Sequence, residues 1–235
     1  MSPESHAVAA DARVELLSRL EHFALQPRTV LDLGAAVSAT DSTVLQRRFP
    51  QARIILSSNP TGAGAAAVAD DFAAQDLVSR LQQWSRRVLE QGVQRLAART
   101  GTARVERIVA EPTALPLAEG SVDLVLGQWL MPGEDNLDAV LVEIRRCLAP
   151  GGLFLWTSAG PVNGESHVPG AIDMHDLGSA LTRAGFQEPV LDVDRYPAAR
   201  CEVIHAAAFA GEAGRAVAGE VVVPVDSLRR RREPS

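Results

Sequence analysis

The stretch from Thr29 to Ala39 constrains the fold of this chain most strongly. An apolar run typical of a β-strand ends at Asp32 and Gly34, passes through small residues, and enters a segment compatible with a helix from Ser42. A strand, a tight turn and a helix in this order open nucleotide-type α/β domains, in which the N-terminus of the helix faces the ligand. We therefore expect a doubly wound α/β fold whose ligand-binding edge begins at this turn.

Composition favours one globular domain over residues 1–235. The chain is 46% hydrophobic and carries a formal net charge of −6. Its length allows one well-packed α/β domain with additions and is short for two full domains. The negative charge disfavours a nucleic-acid reader. Because no apolar run approaches the length of a membrane span and no secretory signal is visible, we predict a cytoplasmic protein.

Hydrophobic periodicity and turn-forming residues divide the chain into alternating helices and strands. We predict helices at residues 7–25, 137–148 and 174–184, and strands at residues 29–33, 52–56, 105–110, 122–126, 153–157, 189–193 and 201–207. Residues 220–224 are compatible with a further edge strand. Asp173 is a suitable N-cap, Gly185 suits the position after a helix C-terminus, and Cys147 is expected to be a buried helix thiol. The two cysteines are too few for a disulfide framework or a zinc cluster.

The sequence is compatible with two interpretations for each of two segments, residues 68–99 and residues 229–235. Residues 68–99 carry a mostly helical apolar stripe in a sequence rich in Gln and Arg, which predicts an extended helical insert. This insert would be either a crossover helix packed on the sheet or, through its outer half, a surface for a protein partner or a homodimer. The basic tail at residues 229–235 would be either solvated or a contact for an acidic protein.

Several segments, taken in order, resemble the successive motifs of one enzyme family. They are Asp32-Leu33-Gly34, Glu111 to Pro116, Ser121 to Val125, Arg145 to Gly152, Ile172 to Gly178, and Ala184-Gly185-Phe186. In this order and spacing the chain resembles the class I S-adenosylmethionine-dependent methyltransferases, and the last two segments are similar to the malonyl-acyl-carrier-protein O-methyltransferases of biotin synthesis. The resemblance implies a seven-stranded sheet, mostly parallel with an antiparallel last strand. It also implies methyl transfer from S-adenosylmethionine to a carboxylate on an acyl-carrier-protein thioester.

The resemblance assigns part of the cofactor site to the first two strands. The family's first turn reads acid-x-Gly-x-Gly-x-Gly; here Asp32 and Gly34 match this pattern, whereas Ala36 and Ser38 replace the later glycines. Ser57 stands where the family has an acidic residue that bonds the ribose hydroxyls. Losing a charged hydrogen-bond partner costs about 1.5–3 kcal/mol. The sequence therefore predicts weakened or lost cofactor binding relative to the family.

Further positions follow from the same resemblance. Glu111 stands where the family places an acidic residue near the adenine amine, although it could also be a solvated charge at the end of a strand. Gln128 could contact the methionine part of the cofactor. Trp129 and Met131 would line the substrate site or belong to the core. The family's helical substrate cap between the last two strands is expected to be missing here. No catalytic residue and no metal ligand are predicted.

Two functions of different class are compatible with these residues. One is an active methyltransferase of the kind that the resemblance implies. The other is a pseudo-methyltransferase that has lost cofactor binding and acts through protein–protein contacts. A nicotinamide-dependent dehydrogenase is disfavoured because the pattern G-x-G-x-x-G is absent.

Overall fold

A seven-stranded sheet forms the centre of the protein. The computed structural model describes residues 3–34, 39–59, 103–128, 136–162, 171–197 and 201–211. Its strands are β1 (Thr29–Gly34), β2 (Arg53–Ser58), β3 (Arg104–Val109), β4 (Val122–Gln128), β5 (Leu148–Gly160), β6 (Gln187–Tyr196) and β7 (Cys201–Phe209). They are ordered β3-β2-β1-β4-β5-β7-β6, and only β7 is antiparallel to its neighbours in this sheet. The predicted mostly parallel sheet with an antiparallel last strand is confirmed.

Helices cover both faces of this sheet. They are α1 (Pro3–Arg19), followed by a 3₁₀ turn (Leu20–His22), α2 (Ala39–Arg48), α3 (Leu137–Cys147) and α4 (Met174–Arg183). Helices α1 and α2 share one apolar cluster with the sheet, and α3 and α4 share the other. A strand buried on both faces needs a continuous apolar run, because its successive side chains point to opposite faces. In β4, Leu124 and Leu126 belong to the first cluster, whereas Val125 belongs to the second.

Local signals predicted the ends of α4 correctly. The side chain of Asp173 accepts a hydrogen bond of 2.7 Å from the backbone N–H of His175, as an N-cap does. Gly185 adopts a φ of +86° just after the helix. The backbone N–H of Phe186 donates to the carbonyl of Leu181 at 3.0 Å, which completes a Schellman-type end.

The entry into β5 differs from the prediction. The helix expected to run to residue 148 ends at Cys147, because Leu148 already pairs with Val122 of β4. The next pair in this ladder joins Leu124 to Leu153, so residues 149–152 bulge out of the sheet. The predicted stop at residues 150–152 therefore lies within the bulge of a longer strand. Pairing with β4, which local sequence does not encode, sets where this strand begins.

Other predictions have mixed outcomes. Strand β6 ends at Tyr196 and β7 begins at Cys201, so four residues separate the two strands, and residues 198–200 of this connection lie outside the described ranges. The predicted first helix ends at Arg19 and continues as the 3₁₀ turn, rather than reaching residue 25. Cys147 is buried as predicted, and burial raises the pKa of its thiol to about 11. Within the described residues, no helix is both long and apolar enough to cross a membrane. The insert at residues 68–99, the strand at 220–224 and the tail at 229–235 lie outside the described residues.

The bulge near the start of β5 predicts a position at which only glycine fits. A Cβ on Gly152 would lie 2.9 Å from the carbonyl oxygen of Ala149 and 3.2 Å from that of Asp123. We expect Gly152→Ala to lower the free energy of unfolding by roughly 1–3 kcal/mol, the usual range for overpacking. Gly178→Ala in α4 is the control, because its Cβ would meet only Leu191 Cδ1 at 3.5 Å. This control should be neutral or stabilising by up to about 1 kcal/mol, since alanine favours the helix. Urea denaturation of both variants would measure the difference, and equal stabilities would contradict the prediction.

Candidate functional site

The topology of the sheet brings the candidate residues to one edge. The strand order reverses between β1 and β4, which is where open α/β sheets bind ligands at the carboxyl ends of their strands. Gly34, the last residue of β1, pairs with Gln128, the last residue of β4. Ser58 at the end of β2 pairs with Val109 of β3, two residues before Glu111. The candidate residues on β1, β2 and β4 and after β3 therefore converge on this edge.

Asp32, the acidic residue of strand β1, forms an ion pair with helix α1. Asp32 is fully buried, and its sheet neighbours are Leu56 on β2 and Leu126 on β4. Arg13 of α1, which is 4% exposed, donates from Nη1 to Oδ1 of Asp32 at 3.3 Å and from Nη2 to Oδ2. A carboxylate in apolar surroundings is costly unless it is paired and hydrogen-bonded. The guanidinium of Arg13 supplies both the opposite charge and a two-point contact.

Sequence reasoning missed Arg13, although a signal was present. This residue precedes Leu16, Leu17 and Leu20 by three, four and seven positions, so it lies on the apolar face of α1. All three leucines are buried. An arginine on the buried face of a helix requires an acidic partner in the core, and Asp32 within an apolar strand is such a partner.

The end of β2 lies further along the chain than predicted. The strand continues past residue 56 to Ser58, so Ser57 lies within the strand and is 6% exposed. Ser58 is exposed, and its hydroxyl donates to the carbonyl oxygen of Ile108 at 3.4 Å. Two hydroxyl groups thus stand at the end of β2, one facing the interior and one facing solvent.

Helix α3 holds the loop that carries Glu111. Glu143 accepts a 2.7 Å hydrogen bond from the backbone N–H of Leu115, and Arg146 donates to the carbonyl oxygens of Leu117 at 2.9 Å and Leu115 at 3.3 Å. Arg146 also donates to Glu143 at 2.7 Å. This hydrogen bond from Arg146 is the main cause that lowers the pKa of Glu143 below its usual range, and the backbone N–H of Leu115 adds to it. The loop is therefore fixed from α3 by charged groups.

The remaining candidates divide into described and undescribed positions. Glu111 and Gln128 are both partly exposed. Ala36, Ser38, Trp129 and Met131 lie outside the described residues. Among the His, Cys, Asp and Glu side chains of the described ranges, no group of three could hold a metal ion.

A separate cleft lies at the C-terminal end of α1, where Arg19 lines it. It has a volume of about 210 Å³, and its lining includes Arg19, Phe23, Leu155, Asp192 and His205. Arg19 pairs with Asp192 of β6 at 3.3 Å, so α1 contacts the sheet through two arginines, Arg13 and Arg19. The cofactor-site candidates that the structure describes do not line this cleft.

The lowered pKa of Glu143 predicts a pH-dependent stability. The pKa of Glu143 is lower in the folded state than the value of about 4.3 in an unfolded chain. The ionised carboxylate therefore stabilises the folded state in full at pH values above about 4.3. The contribution is lost as the pH falls through the lower, folded pKa. We expect Glu143→Gln to be less stable than wild type at pH 7 by roughly 1–2 kcal/mol, since hydrogen bonds to charged groups are lost at a partly exposed site.

Urea unfolding at pH 7 and at pH 3 would test this. The difference between wild type and Glu143→Gln should shrink at the lower pH. Glu21→Gln, which removes a carboxylate at an exposed position of the 3₁₀ turn, is the control for net charge. A difference for Glu143→Gln that stays constant with pH would contradict the prediction.

Comparison with known proteins agrees with this architecture. Residues 61–156 match the family model described as a methyltransferase domain, a span that begins after β1 and β2. The chain is 32% identical over 198 residues to a malonyl-[acyl-carrier protein] O-methyltransferase of Methylovorus sp. (strain MP688), which covers 79% of this chain and 59% of that protein. The chain thus spans about three fifths of the length of such relatives.

Two solved structures share the fold at low sequence identity. The 1,6-didemethyltoxoflavin-N1-methyltransferase of Burkholderia thailandensis, solved with S-adenosylhomocysteine, is 17% identical with a TM-score of 0.54, over 87% of this chain and 78% of that chain. The [4+2]-cyclase SpnF is 14% identical with a TM-score of 0.55, over 86% of this chain and 81% of that chain. In sequence and in fold, the chain resembles the class I S-adenosylmethionine-dependent methyltransferases, with its methyltransferase-domain match at residues 61–156.

Proposed function

We propose that this protein is an S-adenosylmethionine-dependent O-methyltransferase that acts on a carboxylate carried by an acyl-carrier-protein thioester. The observation that carries the proposal is the 32% identity, over 79% of the chain, to a protein named for methyl transfer to malonyl-acyl carrier protein. The fold supports it, because the strand order reverses between β1, which carries Asp32 and Gly34, and β4. The fold by itself does not define the reaction, since one neighbour is a cyclase.

The polar groups at the carboxyl edge fit an adenosine-bearing cofactor. Glu111 offers a carboxylate that can accept from an adenine amine, and Gln128 offers an amide that can bond the amino-acid part. Gly34 lets backbone and ligand approach closely. Ser57 should bind the ribose less strongly than the family residue does, because a hydroxyl stands where the resemblance implies a carboxylate. We propose Asp32, Gly34, Ala36, Ser57, Glu111 and Gln128 as the cofactor site, and Trp129 and Met131 as substrate contacts.

In this reaction the protein mainly positions the acceptor and the methyl donor, and it does not need to transfer a proton. When bound, S-adenosylmethionine supplies an electrophilic methyl group on a sulfonium. The acceptor carboxylate is already ionised at neutral pH and needs no general base. The work of the chain is then to align the acceptor with the methyl group and to exclude water. The fixed loop that carries Glu111 and the buried anchor of Asp32 are suited to this role.

Calorimetric titration with S-adenosylhomocysteine, followed by methyl transfer to a malonyl thioester, tests the proposal. Binding together with product formation is the expected result. Binding of S-adenosylhomocysteine without methyl transfer to malonyl or other acyl thioesters would overturn the proposed acceptor but not the proposed cofactor. Absence of heat and of thermal stabilisation at millimolar ligand would overturn the proposal, and the protein would then be a pseudo-methyltransferase.

A single substitution at β2 tests how the ribose is held. We expect Ser57→Asp to bind S-adenosylhomocysteine roughly ten- to a hundredfold more tightly than wild type, since one charged hydrogen bond contributes about 1.5–3 kcal/mol. Ser57→Asn has nearly the same size without the charge, and it should show a smaller gain. Calorimetric dissociation constants would measure both variants. Equal affinities of the Asp and Asn variants would contradict a ribose contact at this position.

A further inference from the structure

The cleft at the C-terminal end of α1 has no part in the proposed methyl transfer. We propose that it is a second binding site, which takes a small, uncharged aromatic molecule that carries a hydroxyl group. The inference does not rest on the proposed function, because the cofactor-site candidates within the described residues do not line this cleft.

The floor of the cleft is the face of the sheet that α1 covers. In β7, His205, Ala207 and Phe209 follow each other at steps of two residues, so they share one face. Ala207 pairs with Leu155 of β5 and with Val190 of β6, and both of these residues also line the cleft. The cleft therefore lies over β5, β7 and the edge strand β6.

The size and the walls of the cleft fit one aromatic ring. Its volume is about 210 Å³, whereas a cavity of about 150 Å³ takes benzene and drug-sized ligands occupy pockets of about 300 Å³ or more. The apolar walls include Phe23 and Phe209, whose ring centroids lie 6.3 Å apart at an interplanar angle of 69°. Aromatic rings prefer such edge-to-face contacts, so a ligand ring can extend this pair.

Two buried side chains in the lining have polar atoms without a hydrogen-bond partner. Arg19 is 8% exposed and His205 is 2% exposed. Among the described residues, nothing hydrogen-bonds to Nε of Arg19 or to either ring nitrogen of His205. Asp192 brings the two side chains together, because it pairs with Arg19 at 3.3 Å and lies opposite His205 in the ladder of β6 and β7. Buried polar atoms are normally hydrogen-bonded, so these atoms favour a ligand that brings a polar group.

A hydroxyl group suits this pair of side chains. The Nε atom of Arg19 can only donate a hydrogen bond. Oδ2 of Asp194 lies 3.3 Å from Nε2 of His205, which favours the proton on that nitrogen and leaves Nδ1 as an acceptor. A ligand hydroxyl can accept from Arg19 and donate to His205, whereas a carbonyl oxygen can only accept.

The charges around the cleft disfavour an ionised ligand. The lining includes the carboxylates of Glu188 and Asp192 and the guanidinium of Arg19. Because Arg19 pairs with Asp192, the exposed carboxylate of Glu188 leaves the lining with an excess of negative charge, which would repel an anion. A cation that approached the unpartnered Nε would meet the like charge of Arg19. An uncharged molecule avoids both repulsions.

Titration of the ¹⁵N-labelled full chain with single-ring probes, followed by NMR, tests the proposal. Phenol should bind and shift the amide signals of Asp192 and Ala207. Toluene has a methyl group in place of the hydroxyl, and it should bind roughly three- to tenfold more weakly, since one neutral hydrogen bond is lost. Benzylamine and benzoate, which carry opposite charges, should both bind more weakly than phenol.

Two valine variants localise the binding. Val190 and Val142 are 47% and 56% exposed, so a larger side chain at either position can extend into solvent. Val190 lines the cleft, whereas Val142 lies on α3 and does not. Val190→Trp should weaken phenol binding roughly tenfold or more, because the indole fills part of the cleft. Val142→Trp is the matched control and should stay within about twofold of wild type, since the sites share no partner.

The outcomes decide each part of the proposal. No binding at millimolar phenol, or an equal loss of affinity in both valine variants, would overturn the site. Equal affinities for phenol and toluene would overturn the hydroxyl contact, and tighter binding of benzylamine or benzoate than of phenol would overturn an uncharged ligand. His205→Leu should remove the advantage of phenol over toluene, and an unchanged advantage would count against His205. If that variant does not fold, the probe series and the valine pair still decide.

Discussion

The buried ion pair between Arg13 and Asp32 links the N-terminal helix to the centre of the sheet. Burying a carboxylate between Leu56 and Leu126 is costly, and the two-point contact from Arg13 of α1 offsets part of that cost. The apolar face of α1 packs on the sheet, and Arg13 adds a charged contact to this packing. Helix and strand therefore depend on each other, although 19 residues separate the two charges in sequence.

The candidate site is assembled from the ends of several elements. Parallel strands place their carboxyl ends at one edge, which brings Gly34, Ser57 and Gln128 to the same edge of the sheet. The loop with Glu111 is different, because Glu143 and Arg146 of α3 fix its backbone. Two charged anchors, one on each face of the sheet, thus support the same edge. Ser57 lies at this edge, at the position where the resemblance implies an acidic residue.

Much of the fold was predictable because strand and helix patterns are local. Continuous apolar runs indicated strands buried on both faces, and Asp173 and Gly185 marked the ends of α4 through bonds to their own neighbours. The errors lie at the ends of elements, such as the first helix, which ends at Arg19 and not at residue 25. Strand β2 extends to Ser58 and β5 begins at Leu148, because pairing with β3 and β4 determines these limits. The partner strands lie far away in sequence, so no local signal reports them.

The sequence by itself determined the order of elements and the strand–turn–helix opening, because periodicity, capping and glycine act over a few positions. The residues at the candidate edge came from the resemblance of the chain to a known family. Only the tertiary structure decided that Arg13 neutralises Asp32, that β7 lies between β5 and β6, and that α3 fixes the loop of Glu111. These features depend on which distant surfaces meet when the apolar faces are buried. Burial is non-directional, so the specific partners are settled by shape and charge in the folded chain.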